Sequence, residues 1–281
     1  MLRVGIALPG RKKSPAPQTI SLTIAGITFA LGLPPHFPQE SLWRQGRPFA
    51  SPLPPEYHLE VSLGAAEFPG AGEKWVQVGN GNLRWHWGPS TAELDLEGRC
   101  GRVSLPSPDA LYRPFLASLC SLLLLDRGGL LLHSSGLVRK GKALLFSGPS
   151  GAGKSTLLRL CGGPGLGEDV IALQRVNGRY HATATPFGPL YAHPPGSLGA
   201  PLGALFFLVQ DKENFPVPLS PSQAAFRLMA NSWLGSTDTP WVDKLFPMAE
   251  RIAATVPAYS LHFQKDNSIK EVVFGLAGEI P

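Results

Sequence analysis

Gly148 to Ser155 read GPSGAGKS, and the only adjacent carboxylates in the chain, Glu168 and Asp169, come a short helix later. The first segment matches the phosphate-loop pattern G-x-x-x-x-G-K-[ST] at every fixed position. Its glycines let consecutive backbone N–H groups turn inward around phosphate oxygens, and the helix that follows adds the partial positive charge of its N-terminus. Lys154 is expected to reach the β- and γ-phosphates and Ser155 to ligate Mg²⁺. The candidate nucleotide-binding residues are therefore Gly148, Pro149, Ser150, Gly151, Ala152, Gly153, Lys154, Ser155 and Thr156. The ligands implied are ATP, or another purine nucleoside triphosphate, and Mg²⁺.

Phosphoryl transfer needs charge neutralisation and one group that orients the acceptor oxygen. Asp169 suits that role if it sits at the end of the VIAL strand (Val170 to Leu173) beside the phosphates. Adjacent strand residues face opposite ways, so Glu168 need not share the task; in a turn, both acids could reach the metal. The competing reading is an acidic turn before a buried strand.

Other phosphate-loop machines leave signatures that this chain lacks: neither Asn-Lys-x-Asp nor an LSGGQ-like segment occurs. LFFLVQD imitates a metal-binding strand ending at Asp211, but Gln210 separates the acid from the apolar run. Asp211 to Asn214 read instead as a hairpin turn.

The elements that must position these groups follow from pattern. Residues 18–101 read as strands: TISLTIAGITFAL bends at its glycine, EYHLEVSL alternates, and Gly79 to Asn82 join two alternating runs as a hairpin. There Leu83, Trp85 and Trp87 share one face, expected as core, while Arg84 and His86 share the other. Pro34 to Pro55 read as an irregular excursion. A helix is expected from about Asp109, bent near Pro114. Next come a strand through Leu132, a turn at Arg139 to Gly141 and the strand KALLFS, which leads into the phosphate loop. Helices are expected over Pro221 to Trp233 and Trp241 to Ala254, and AYSLHFQ as a closing strand. The division expected is a β-rich N-terminal domain over 1–104 and a phosphate-loop domain over 105–281.

With 43% apolar residues the chain can bury a sizeable core, and 32 Gly with 29 Pro favour turns over long helices. The net charge of +5 is scattered. Its densest run, Gly10 to Lys13, reads as a solvated arm, so nucleic acid is not an expected partner. FLASLCSLLLL (Phe115 to Leu125) is too short to span a bilayer and reads as a buried helix, so no membrane is expected. The order of charges at the start is wrong for a secretory signal. Cys100, Cys120 and Cys161 form no disulfide framework and no metal spacing, which makes the cytoplasm the expected compartment.

Four features together resemble the HPr kinase/phosphorylase superfamily, whose nucleotide domain is similar to that of phosphoenolpyruvate carboxykinase. They are His133 in GLLLHSSGLV, the loop LLFSGPSGAGKSTLLRL, the acids of LGEDVIAL, and TPFG at Thr185 to Gly188. The likeness is nearest to HPr-kinase-related proteins found beside peptide-modifying gene clusters, and it covers residues 105–265. It implies an α/β fold with a mixed sheet and a kinase that phosphorylates a hydroxyl, either Ser/Thr of a peptide or protein or a small hydroxylated substrate. It implies Asp169 as metal ligand and activator of that hydroxyl, His133 as the residue that tunes it, and a homo-oligomer. The family has Asp-Asp where this chain has Glu168-Asp169, and the signature used for dephosphorylation is missing. The second departure argues against a phosphorylase activity, and the Glu168 departure leaves open a regulatory or scaffold nucleotide binder without transferase activity.

Overall fold

In a computed structural model the chain is described over residues 18–64, 74–163, 165–188, 199–236 and 239–279. The basic run Gly10 to Lys13 lies outside them. The described residues form a mixed α/β structure with two sheets and six α-helices. The first sheet holds β1 (Gln18–Ile24), β2 (Ile27–Leu33), β3 (Tyr57–Leu63), β4 (Lys74–Gly79), β5 (Asn82–Trp87), β6 (Ser90–Asp95) and β7 (Cys100–Leu105). Its order is β1-β2-β3-β7-β6-β5-β4, with β3 parallel to both β2 and β7.

Between β2 and β3 the Pro-rich stretch is not wholly irregular. It contains α1 (Gln39–Gly46), entered from Pro38 and held by the fully buried Leu42. Prolines flank this helix without interrupting it, so nothing in Gln39 to Gly46 forbids the helical ladder. The hairpin faces also need one correction. Leu83 and Trp85 are buried and Arg84 is exposed as expected, but His86 is buried as well, flanked in register by Trp75 and Thr91.

The helix expected from Asp109 begins later. Pro108–Leu111 form a 3-10 turn, Arg113 is extended (φ −133°, ψ 125°), and the regular helix α2 runs over Ala117–Asp126. Pro114 crowds the residue before it out of the helical region, which explains the break. Residues Ala117 to Leu125 are buried on every side because α2 lies within the core that both sheets share. No helix among the described residues is long and apolar enough to cross a membrane.

The second sheet is built on β8 (Leu130–Arg139), which runs well beyond Leu132. It continues with β9 (Lys142–Ser147), β10 (Gly165–Gly167), β11 (Val170–Val176), β12 (Arg179–Thr183), β13 (Gly199–Gln210), β14 (Phe215–Pro218), β15 (Ser232–Trp233) and β16 (Ala258–Phe263). The remaining helices are α3 (Lys154–Cys161), α4 (Pro221–Ala230), α5 (Thr239–Ala253) and α6 (Ile269–Glu279); the last was not among the expected elements, although Ser268 and Glu271 have capping-box spacing. Asp211 to Asn214 do not close a hairpin. β13 already has β9 and β16 alongside it in parallel, so the chain passes on and β14 pairs with β16.

Period two divides the core. Leu144, Phe146, Ala204, Phe206 and Leu208 face α3 and α6, packing with Leu157, Cys161, Ile269 and Val273. Ala143, Leu145, Leu205 and Phe207 face the other way, into a cluster continuous with the first sheet. Each fully buried Leu or Phe here contributes roughly 1.5–3 kcal/mol. That packing makes the second sheet a rigid platform.

Candidate functional site

β8 carries partners on both edges. On one, Leu130 to His133 pair with β11 and Gly136 with β10; on the other, Leu131 and Leu132 pair with β15, and Ser134 to Arg139 with β9. Both candidate motifs arrive by register at a crevice near the middle of β8. Ser147, the last residue of β9, lies opposite Ser134 and its hydroxyl donates to His133 O at 3.0 Å, so the phosphate loop starts beside His133. Val170 lies opposite His133 and Ser134 N donates to Asp169 O at 3.1 Å, so the acid pair reaches the same point from the opposite edge.

The crevice is a cleft of about 390 Å³ that brings His133, Glu168 and Asp169 together with Ser150, Gly151, Gly153, Lys154, Ser155 and Thr156. Gly148, Pro149 and Ala152 stand behind these. Lys154 Nζ donates to Gly148 O at 2.7 Å and Pro149 O at 2.9 Å, so its ammonium is folded onto the loop's own carbonyls. Burial lowers the Lys154 pKa, and the Asp169 charge opposes that shift. Gly153 has φ +103°, and a Cβ there would sit 2.5 Å from Phe263 Cζ, so this position demands glycine twice over.

The two acids occupy a bend between β10 and β11 and do different things. Glu168 is buried, and its Oε2 accepts from Ser155 Oγ at 2.5 Å. Asp169 has φ +74°, a left-handed geometry that Asp tolerates better than most residues, and its carboxylate diverges from that of Glu168. Asp169 Oδ1 lies 2.9 Å from His133 Nε2, and Oδ2 accepts from Arg113 Nη1. The His133 hydrogen bond lowers the Asp169 pKa; burial opposes the shift and the Arg113 charge adds to it. Glu168, not Asp169, is thus the carboxylate on Ser155.

Two residues of the site escaped the sequence reading. Arg113 also donates to Phe187 O at 3.2 Å, and its guanidinium lies 4.3 Å from the Trp233 ring centroid. Trp233 in turn stacks on Trp87 of the first sheet, with centroids 6.5 Å apart. Lys265, in the loop after β16, completes the lining of the cleft. The extended geometry that Pro114 forces on Arg113 was the one available signal; Lys265 carried none.

The TPFG segment packs beneath the acids. Thr185 Oγ1 donates to Val170 O at 2.6 Å, and a Cβ on Gly188 would meet Glu168 O at 1.9 Å. Gln45 of α1 braces the same loop through Gly188 O at 3.3 Å. Asp211 pairs with His262 instead, Oδ2 to Nδ1 at 2.8 Å. His181 lies on β12, and His193 falls outside the described residues.

Donor chemistry tests the metal expected here. Among the described residues no cluster of three or more His, Cys, Asp or Glu could hold an ion unaided. Ser155 Oγ and one carboxylate oxygen are nevertheless a hard-oxygen pair of the kind Mg²⁺ uses together with substrate phosphates and water, so the residues fit.

A family model described as SynChlorMet cassette protein ScmC matches residues 118–273, more than half of the chain. The chain belongs to the ScmC family. The stretch matched to ScmC contains His133, the phosphate loop, both acids and Lys265, and it begins beyond Arg113 and the first sheet. Among solved structures, the Hpr(Ser) kinase/phosphatase from Coxiella burnetii is similar over 53% of this chain and 88% of its own, with 13% identity and a TM-score of 0.33. No curated protein matches the chain.

Proposed function

We propose that this ScmC-family chain binds Mg²⁺-ATP on the phosphate loop and transfers the γ-phosphoryl to a hydroxyl, that of a serine or threonine in a peptide or protein. The observation that carries the reading is the convergence of Lys154, Ser155, Glu168, Asp169 and His133 on one cleft. Hydroxyl chemistry is favoured by a free lone pair on each Asp169 oxygen after His133 and Arg113 have bonded.

In this mechanism the loop N–H groups and Lys154 neutralise the phosphates. Ser155 and Glu168 would hold Mg²⁺, which when bound supplies further charge neutralisation. Asp169 accepts a hydrogen bond from the acceptor hydroxyl and aims its oxygen at the γ-phosphorus, while His133 fixes the carboxylate. The acceptor O–P bond forms as the bond from γ-phosphorus to the bridging oxygen breaks, and the hydroxyl proton passes to Asp169 and then to solvent. A loose transition state leaves that proton in place until late, so a carboxylate made less basic by His133 and Arg113 still serves.

A second reading has one specific observation in its favour. The Arg113 cation already meets the Asp169 charge, as in a nucleotide-binding regulator that transfers nothing. Labelled ATP, Mg²⁺ and candidate peptides discriminate between the two. Phosphopeptide from the wild type, cut at least a hundredfold by Asp169→Asn, supports the kinase. Ordinary turnover by Asp169→Asn refutes the assigned role, and tight Mg²⁺-ATP binding with no transfer to peptide or small hydroxylated compounds favours the regulator.

A further inference from the structure

β9, β13 and β16 run parallel, and their carboxyl ends lie at one edge of the second sheet. Ligands of such sheets bind outside those ends. β9 ends in the phosphate loop, β13 at Gln210 and β16 at Phe263. Direct bonds join the three ends: Gln210 Nε2 donates to Gly151 O at 2.9 Å, and Asp211 N to Phe263 O at 3.0 Å. The acids approach the phosphate loop from β8 and β11. The β16 end approaches it from beyond β13, on the opposite side.

The loop leaving β16 is firmly built. Asp266 accepts from Asn214 Nδ2 at 2.9 Å, Ser268 N at 2.9 Å, Ser268 Oγ at 2.7 Å and Gln264 Nε2. Asn214 Oδ1 accepts from Gln264 N at 2.9 Å. Residues on both sides of Lys265 are therefore clamped, while Lys265 itself lines the cleft with Lys154 and Ser155. The Asp266 carboxylate is satisfied within its own loop, and among the described residues Lys265 makes no salt bridge.

A bound triphosphate together with Glu168 and Asp169 carries more negative charge than Lys154, Arg113 and one divalent ion cancel. A further cation is needed on the side away from the acids. We propose that Lys265 is this second phosphate-binding cation, held against the nucleotide's polyphosphate by the Asn214–Asp266 clamp. The assignment rests on the nucleotide reading of the cleft and adds to it a residue far from the motif.

Isothermal titration of the full chain with Mg²⁺-ATP, and separately with inorganic tripolyphosphate, tests it. One charge-assisted bond lost predicts that Lys265→Ala weakens both ligands about tenfold, while Lys265→Arg stays within about threefold of wild type. Asp266→Asn, which loosens the clamp but keeps the cation, should fall between them. Lys265→Ala binding both ligands like wild type, while Lys154→Ala loses them, would overturn the proposal and leave nucleotide binding standing. So would a loss confined to ATP, since Lys265 would then be reading the nucleoside. A wild-type chain that binds neither ligand would overturn the nucleotide reading itself.

Discussion

Replacing Gly188 with alanine should disturb the acid pair without touching either acid. The added Cβ would lie 1.9 Å from Glu168 O and 3.0 Å from its carbonyl carbon. That is more than about 1 Å inside an ordinary carbon–oxygen contact, and both obstructing atoms are backbone. Glu168 O cannot retreat freely, because it accepts from Val170 N at 3.0 Å where β11 begins. Overpacking of this kind costs about 1–3 kcal/mol, and loss of that hydrogen bond about 1 kcal/mol more. At roughly 2–4 °C per kcal/mol for a chain of this size, melting should fall by about 4–16 °C. Mg²⁺-ATP affinity should fall with it, since the Glu168 side chain moves off Ser155. Gly165→Ala is the control: its Cβ would meet nothing within 4 Å, so melting should hold within about 1 °C. Calorimetry and nucleotide titration of the two variants decide the matter. If Gly188→Ala melts and binds like wild type, the TPFG loop does not support the acids and the reasoning is wrong.

Arg113→Gln removes an ion pair with Asp169 and a stacking contact on Trp233, both partly solvated, so about 1–2 kcal/mol of stability should go. The same variant should shift tryptophan emission, and an unchanged spectrum with unchanged melting would show that the contact is incidental. Glu56→Gln tests pH linkage away from the site. Arg127 donates to both Glu56 oxygens, at 3.3 and 2.7 Å, and these bonds hold its carboxyl below the usual range. A depressed folded-state pKa stabilises above the unfolded value near 4.3 and loses that contribution as pH falls through the folded value. Solvent screening limits the effect to about 1 kcal/mol. Glu56→Gln should therefore melt a few degrees lower at pH 7 and alongside wild type near pH 3, and a gap that persists in acid would contradict the linkage.

Local pattern carried the legible part. The strand–loop–helix around Gly148 to Ser155 was legible because each fixed position of the motif has its own physical reason, and the β4–β5 hairpin because alternation and its Asn-Gly turn agree. His133 and the acids could be named, but not the reason they meet, which is the pairing of β8 with β11 on one edge and β9 on the other. That is a matter of register between distant segments, and a buried strand such as β8 reads as apolar whichever neighbour it has. Arg113 was hidden because YRPFLASLC looks like one bent helix, and only tertiary packing turns the side chain of its extended residue onto Asp169 and Trp233. Lys265 belongs to a loop whose order comes from Asn214, a residue at the end of another strand. The Asp211 hairpin failed for a related reason: the turn is locally sound, but β13 has no free edge left.

Glu168 and Asp169 are adjacent in sequence, and the geometry explains why they take different partners. A bend with Asp169 in left-handed conformation sends the two side chains apart. The forward one must then cross a longer gap to Ser155 at the start of α3. The additional methylene of glutamate extends the carboxylate by about 1.5 Å, close to the span of one backbone bond. With it, Oε2 reaches Ser155 Oγ while Thr185 and Gly188 hold the backbone beneath. An aspartate on the same backbone would stop short of that hydroxyl. The longer acid therefore keeps a carboxylate oxygen on Ser155 and leaves Asp169 to His133 and Arg113. In this chain the pair is two separate carboxylates with separate partners, not a single acidic cluster.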